Sequence, residues 1–156
     1  MKIVKTWFAG FLIIVLVVMA GWNYSQRKEV SIEYLDLATT PAIDHWRKHY
    51  EENELILWDQ EDLTDNGKLD TVIIFNVGHR KNNVLVVMDM GDEFVMTEPI
   101  PAPVENQVIK FLDFDNEPPN ELYISGSKGP HVGHAIYRIV DDELVDLFSM
   151  DMSLCC

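Results

Sequence analysis

Cysteine is almost missing from this chain: its 156 residues include two, and both stand at the very end, as Cys155 and Cys156. No disulfide framework can therefore hold the fold, because a bridge between chain neighbours closes a loop of no consequence. No cysteine follows the N-terminal apolar run, which excludes a lipoprotein anchor. Basic residues are scarce as well, 12 Lys and Arg against 26 Asp and Glu, for a net charge of −14. Four of the twelve (Lys2, Lys5, Arg27 and Lys28) come before Glu29, the first acid in the chain. From Glu29 onward the chain thus carries eight basic and 26 acidic side chains, a net of −18. Such a surface repels phosphates and anionic lipid headgroups, and so argues against DNA or RNA as a partner. It attracts cations or basic protein faces, and it keeps an exported domain soluble. Also missing are a Ser-His-Asp order, a phosphate loop and a general acid–base pair at motif spacing, so nothing supports an independent hydrolase.

What is present begins with a leader. Lys2 and Lys5 precede an uncharged, mostly apolar run from Trp7 to Trp22. As a helix it spans about 24 Å, short of the roughly 30 Å hydrocarbon core but within reach of snorkelling and bilayer thinning. A basic start before an apolar run is the signal-peptide pattern, and Val18-Met19-Ala20 offers a cleavage site. We favour an uncleaved anchor with Trp7 and Trp22 at the two interfaces. Cleavage and secretion are the alternative. Either way the expected location is outside the cytoplasm, as a single-pass membrane protein or a secreted one.

The 47% apolar content supports one domain with a real core. The expected class is mainly β (α+β): the leader over 1–28, a linker and amphipathic helix over 29–54, two β units over 55–148, and a tail over 149–156. Thr40 can cap the helix, Pro41 suits its first position, and Ile43, Trp46 and Tyr50 share one face. His45 and His49 sit four apart on it, a metal-ligand spacing, and read as surface histidines. Strands are predicted at Leu55–Trp58, Thr71–Val77, Asn83–Met90 and Glu93–Thr97, with a loop at Gly78–Asn82 and a tight turn at Gly91-Asp92. Pro99, Pro101 and Pro103 are expected to break the sheet. A second set follows at Val108–Leu112, Glu121–Ser125, His134–Val140 and Glu143–Phe148, with Asp141-Asp142 as its turn and His131–Gly133 in a loop. The units, about 55–98 and 107–148, align when Asp113 is set on Asp62. A period of about 50 residues suggests propeller-like β repeats, but two units cannot close a propeller, so a sheet pair or sandwich is expected.

Each unit opens on an acidic stretch, Asp62-Leu63-Thr64-Asp65-Asn66-Gly67-Lys68-Leu69-Asp70 and Asp113-Phe114-Asp115-Asn116-Glu117-Pro118-Pro119-Asn120-Glu121. These short stretches resemble the aspartate-rich loops of FG-GAP (integrin-type) or VCBS-like repeats. The resemblance implies oxygen ligands for calcium from Asp62, Thr64, Asn66 and Asp70, and from Asp113, Asp115, Glu117 and Glu121. Only two of the first four are carboxylates, and Pro118-Pro119 replace the Gly-Lys turn in the second. Neither loop has the later bidentate Glu of an EF-hand. Turns whose Asp and Asn side chains satisfy backbone N–H groups are the leading expectation.

The tail, Met150-Asp151-Met152-Ser153-Leu154-Cys155-Cys156, is rich in sulfur. A terminus is expected to be mobile, leaving both thiols accessible. Adjacent cysteines can close a strained, easily reduced ring, or converge as a dithiol on a soft ion such as Hg(II), As(III) or Cu(I). Asp146, Asp151 and the terminal carboxylate should raise the thiol pKa values, with no basic neighbour nearby. The methionines read mainly as packing material. His131 and His134 form a further ligand pair in form only.

Leader, length and the terminal Cys155-Cys156 resemble the Cys-Cys-COOH (seleno)protein family, SaoC-type. That resemblance implies an ABC-type transporter, a thioredoxin-like (seleno)protein and an organomercurial-lyase-like protein as companions, and handling of a soft metal(loid) or organometal. Mercuric reductases offer an analogy, a vicinal cysteine pair near the C-terminus that captures Hg(II). Three functions follow in order: a dithiol that binds and relays a soft metal to a transporter, a thiol–disulfide redox partner of a thioredoxin-like protein, and a calcium-stabilised surface interaction module.

Overall fold

The computed structural model describes residues 40–156; the leader and the extended segment expected around Val30–Leu35 lie outside the described residues. No helix among the described residues is long and apolar enough to cross a membrane. The fold is mainly β, in two antiparallel sheets.

Helix α1, Pro41–His49, starts where the sequence places it. The Ile43 N–H donates to Thr40 Oγ1 at 3.2 Å, and Pro41 occupies the first turn, where its missing N–H leaves no bond unmade. Ala42, Ile43 and Trp46 are buried, and the rings of Trp46 and Tyr50 lie 5.5 and 4.9 Å from that of Phe75. This apolar stripe seats α1 on the first sheet.

That sheet runs β1 (Leu55–Glu61), β2 (Asp70–Gly78), β3 (Lys81–Asp89), β4 (Phe94–Met96), with β5 (Ile100–Ala102) also paired to β3. The second sheet is the meander β6 (Glu105–Leu112), β7 (Glu121–Lys128), β8 (His131–Val140), β9 (Glu143–Met150). Alternation sorts the first sheet into two buried faces. Val72, Ile74, Val84, Val86 and Met88 join Ile109, Leu122, Ile124, Ala135 and Tyr137 of the second sheet in one core. Ile73, Phe75, Leu85 and Val87 point the other way and are fully buried too. Central strands covered on both faces read as continuous apolar runs, which is why positions 72–75 and 84–88 show no alternation in the sequence. Each large side chain buried there contributes about 1.5–3 kcal/mol.

Three sequence expectations need correcting. Pro103 does lie in the connector between the two sheets and Pro99 outside any strand, but Pro101 does not break the sheet: it lies inside β5 and pairs with Asn83. A proline is tolerated because β5 is an edge strand whose outer side has no ladder to complete. Gly78–Asn82 is not a long loop, since Gly78 pairs with Lys81 and leaves a two-residue turn, His79-Arg80. Likewise His131–Gly133 belongs to β8, and the turn is Gly129-Pro130. Asp141-Asp142 turns as expected, with φ of 52° and 63°, the left-handed pair of a type I′ hairpin.

Candidate functional site

The two acidic loops are built on the same plan. In each, the last acid is the first residue of a central strand and is buried: Asp70 at 0% exposure and Glu121 at 1%. Its carboxylate reaches back to close the loop. Asp70 Oδ2 accepts from the Leu63 N–H at 2.9 Å and from the Thr64 hydroxyl at 3.1 Å, and Oδ1 accepts from the Asp89 N–H at 3.0 Å. Glu121 Oε2 accepts from the Phe114 N–H at 2.8 Å, the counterpart in the second unit of the Leu63–Asp70 bond. The leading acids also face backbone. Asp62 accepts from the N–H groups of Asn66 and Gly67 at 3.1 and 2.8 Å, and Asp113 from that of Asn116 at 2.6 Å. Asn66 Oδ1 accepts from the Lys68 N–H at 2.9 Å, and Asp115 Oδ1 from the Glu117 N–H at 3.0 Å. These are Asx-type turns of the expected kind.

The loops differ in what neutralises them. Carboxylate oxygens of Asp113, Asp115 and Glu121 lie within 4.8 Å of one another. Arg138 of β8 ion-pairs with two of the three: its Nη2 is 2.8 Å from Asp115 Oδ2 and bonds Glu121 Oε1 as well. A guanidinium thus supplies the positive charge at the centre of the second loop. One step beyond the Thr71–Val87 and Leu122–Tyr137 pairs, Met88 holds the position of Arg138 in the first unit. Asp70 accordingly has no cation, and burial, only partly opposed by its hydrogen bonds, raises its pKa. Asp62, Asp70 and Glu117 do not join a three-carboxylate cluster.

The tail departs most from expectation. It is docked, not loose. After β9, Asp151 turns in the left-handed region (φ 55°) and Met152–Cys155 form one helical turn, α2. Gly126 of β7 and Gly133 of β8 are direct cross-strand partners, so they share a face and leave a bare strip on it. A Cβ on Gly126 would lie 2.4 Å from Pro103 Cβ, and one on Gly133 would lie 2.6 Å from Cys155 Sγ. The inter-unit connector and the tail both settle into the space that these glycines vacate. There the Val104 N–H donates to the Cys155 carbonyl at 3.2 Å, and Lys128 Nζ to the main-chain oxygen of Cys156 at 3.0 Å.

Cys155 is therefore fully buried and Cys156 half-buried, both as free thiols with sulfurs 3.4 Å apart. The expectation of two accessible thiols holds for neither in full. Cys155 Sγ also contacts the Met152 carbonyl at 3.7 Å and Met152 Sδ at 3.8 Å. Met150 stays exposed on β9, opposite His134. Cys156 borders a cavity of about 470 Å³ lined also by Met152, Tyr137, Ile100, Asn83 and Lys81. Burial, the hydrogen bond with Cys155 and the charge of Cys155 push the Cys156 thiol up to about 12, against the pull of Lys128. The sequence anticipated the direction but not the cause. Burial likewise lifts Tyr137 to about 12, with Asp146, Cys156 and Cys155 adding to it.

The histidines do not converge with the thiols. His134 lies between the rings of Tyr123 and Phe148, at 6.1 and 5.9 Å, and His131 starts β8 in an exposed position. On α1, His49 Nδ1 is 3.0 Å from the His45 carbonyl. Sequence reasoning missed Lys128, Arg138 and the glycine pair. Two glycines inside apolar strand runs were the signal that backbone or another segment comes close there. No family model, curated protein or solved structure matches this chain.

Three outcomes follow. Arg138→Met strands Glu121 in the interior and should cost about 3 kcal/mol, the lower end for breaking a buried pair, because a quarter of Arg138 is exposed. The Glu121→Gln/Arg138→Met double variant should cost less than the sum of its singles in urea denaturation. Gly133→Ala should dislodge the tail, costing about 1–3 kcal/mol, and expose Cys155 to maleimide labelling read by mass spectrometry. Because Cys156 and Tyr137 ionise less readily folded than unfolded, their protonated forms stabilise the fold fully below about pH 9. The melting temperature should fall as pH rises from about 9 towards 12, and Cys156→Ser should flatten the first part of that fall.

Proposed function

We propose that this chain is an extracytoplasmic, membrane-tethered protein whose vicinal dithiol, Cys155 and Cys156, captures a soft metal or organometal ion and passes it to a transporter. One observation carries this reading. Two free thiols sit 3.4 Å apart on a docked turn, with the outer one at the edge of a cavity. Holding the pair in place before the ligand arrives reduces the ordering cost of binding. Half-burial of Cys156 leaves one face of the pair open for capture and hand-over.

The raised pKa of Cys156 bears differently on the two sulfur chemistries. Cys156 forms its thiolate less readily than a free cysteine does, which handicaps its attack on a disulfide. A soft ion instead displaces the proton as it binds, so the same pKa does not prevent capture. The redox reading therefore stands second. Arg138 already supplies the positive charge that a calcium ion would bring to the second loop, so the calcium-stabilised module stands third. The basic leader and apolar run support the tether, and the resemblance of leader and tail to Cys-Cys-COOH proteins supports a transporter as the recipient.

Hg(II) titration of the reduced protein, followed by intact-mass spectrometry, tests the proposal. The wild type should take up one equivalent, while Cys155→Ser/Cys156→Ser takes up none and keeps its far-UV circular dichroism. Equal uptake by the two proteins would refute it.

A further inference from the structure

The two thiols have a third sulfur beside them. Met152 and Cys155 open and close the single turn of α2 and Cys156 caps it, a spacing of i, i+3 and i+4. Cys155 Sγ is 3.4 Å from Cys156 Sγ and 3.8 Å from Met152 Sδ. We propose that Met152 is the third ligand of the site and that these three sulfurs form a three-coordinate centre for Cu(I). The inference rests on the dithiol reading and names the ion it serves.

The distances select among geometries. With metal–sulfur bonds of about 2.3 Å, a linear bis-thiolate needs sulfurs about 4.6 Å apart, and a trigonal centre needs about 4.0 Å. The thiol pair, at 3.4 Å, lies closer to the trigonal spacing than to the linear one, which Hg(II) reaches when the two side chains swing apart. The separations from Cys155 Sγ to the other two sulfurs, 3.4 and 3.8 Å, lie closer to the trigonal value than to the linear one. A tetrahedral centre also accepts close sulfurs but needs a fourth donor. Among the described residues the cysteines belong to no group of three or more His, Cys, Asp or Glu ligands. Two thiolates with a thioether form a donor set soft enough to favour Cu(I) over zinc.

Access and charge agree with this assignment. Cys155 is closed off by Gly133, but Met152 and Cys156 both line the 470 Å³ cavity, so the ion reaches the sulfurs from that side. Binding is an exchange without redox change: Cu(I) replaces the two thiol protons, which leave to solvent, and the bis-thiolate complex carries one negative charge. Lys128, anchored to the main-chain oxygen of Cys156, lies close enough to offset it.

The test titrates the full chain anaerobically with Cu(I) against bicinchoninate and counts sulfurs by X-ray absorption at the copper edge. Wild type should show three sulfurs per copper. Met152→Leu, close in volume, should show two sulfurs and an affinity at least about tenfold lower, since even outer-shell losses reach that size. It should still take up one equivalent of Hg(II), and Met152→Cys should restore three sulfurs. Copper affinity and coordination unchanged in Met152→Leu would overturn the third ligand and leave the dithiol reading standing. Retention of both metals by Cys155→Ser/Cys156→Ser would overturn the dithiol reading itself.

Discussion

A carboxylate at the first buried residue of a central strand must find partners there, because an unpaired charge or lone pair in the interior costs several kcal/mol. Asp70 and Glu121 meet this demand by the same device, each accepting a backbone N–H from the start of its own loop and so closing the acidic loop over the strand end. The closure fixes where β2 and β7 begin, and with them the register of each meander. It also explains why one unit needs an arginine and the other does not. Asp70 is satisfied by two N–H groups and a hydroxyl, whereas Glu121 accepts one N–H and leans on Arg138 for the rest.

Register then decides where the tail can lie. Pairing Leu122 with Tyr137 brings Gly126 opposite Gly133, and this facing pair strips side chains from a patch of the second sheet. Pro103 and Cys155 fill that patch, and the bond from Val104 to the Cys155 carbonyl joins the connector between units to the tail. The sulfur site is thus a product of the whole second unit. Its three sulfurs come from one short turn, while its position comes from β7, β8 and the connector.

A good part of this was legible in the chain. The capped start of α1, the Asp141-Asp142 hairpin and the repeat that sets Asp113 in the place of Asp62 all depend on local chemistry: a hydroxyl before a proline, a left-handed turn, an acidic loop used twice. The terminal cysteine pair was legible too, because its members are adjacent in sequence, whereas Met152 read as packing material. The errors came where tertiary context overrides local preference. Pro101 reads as a breaker but serves as an edge residue, and His131–Gly133 reads as a loop but belongs to a strand.

By itself the sequence determined the class of fold, the acidity of the domain and the presence of a terminal dithiol, since each is written in composition or short-range pattern. Only the tertiary structure decided that the dithiol is docked, that Cys155 is buried while Cys156 faces a cavity, and that Lys128 and Arg138 are the cations that matter. Lys128 meets Cys156, and Arg138 meets Glu121, across stretches of chain much longer than any local motif. Contacts of that range depend on strand register, which a hydrophobic pattern constrains only after the strands have found their partners.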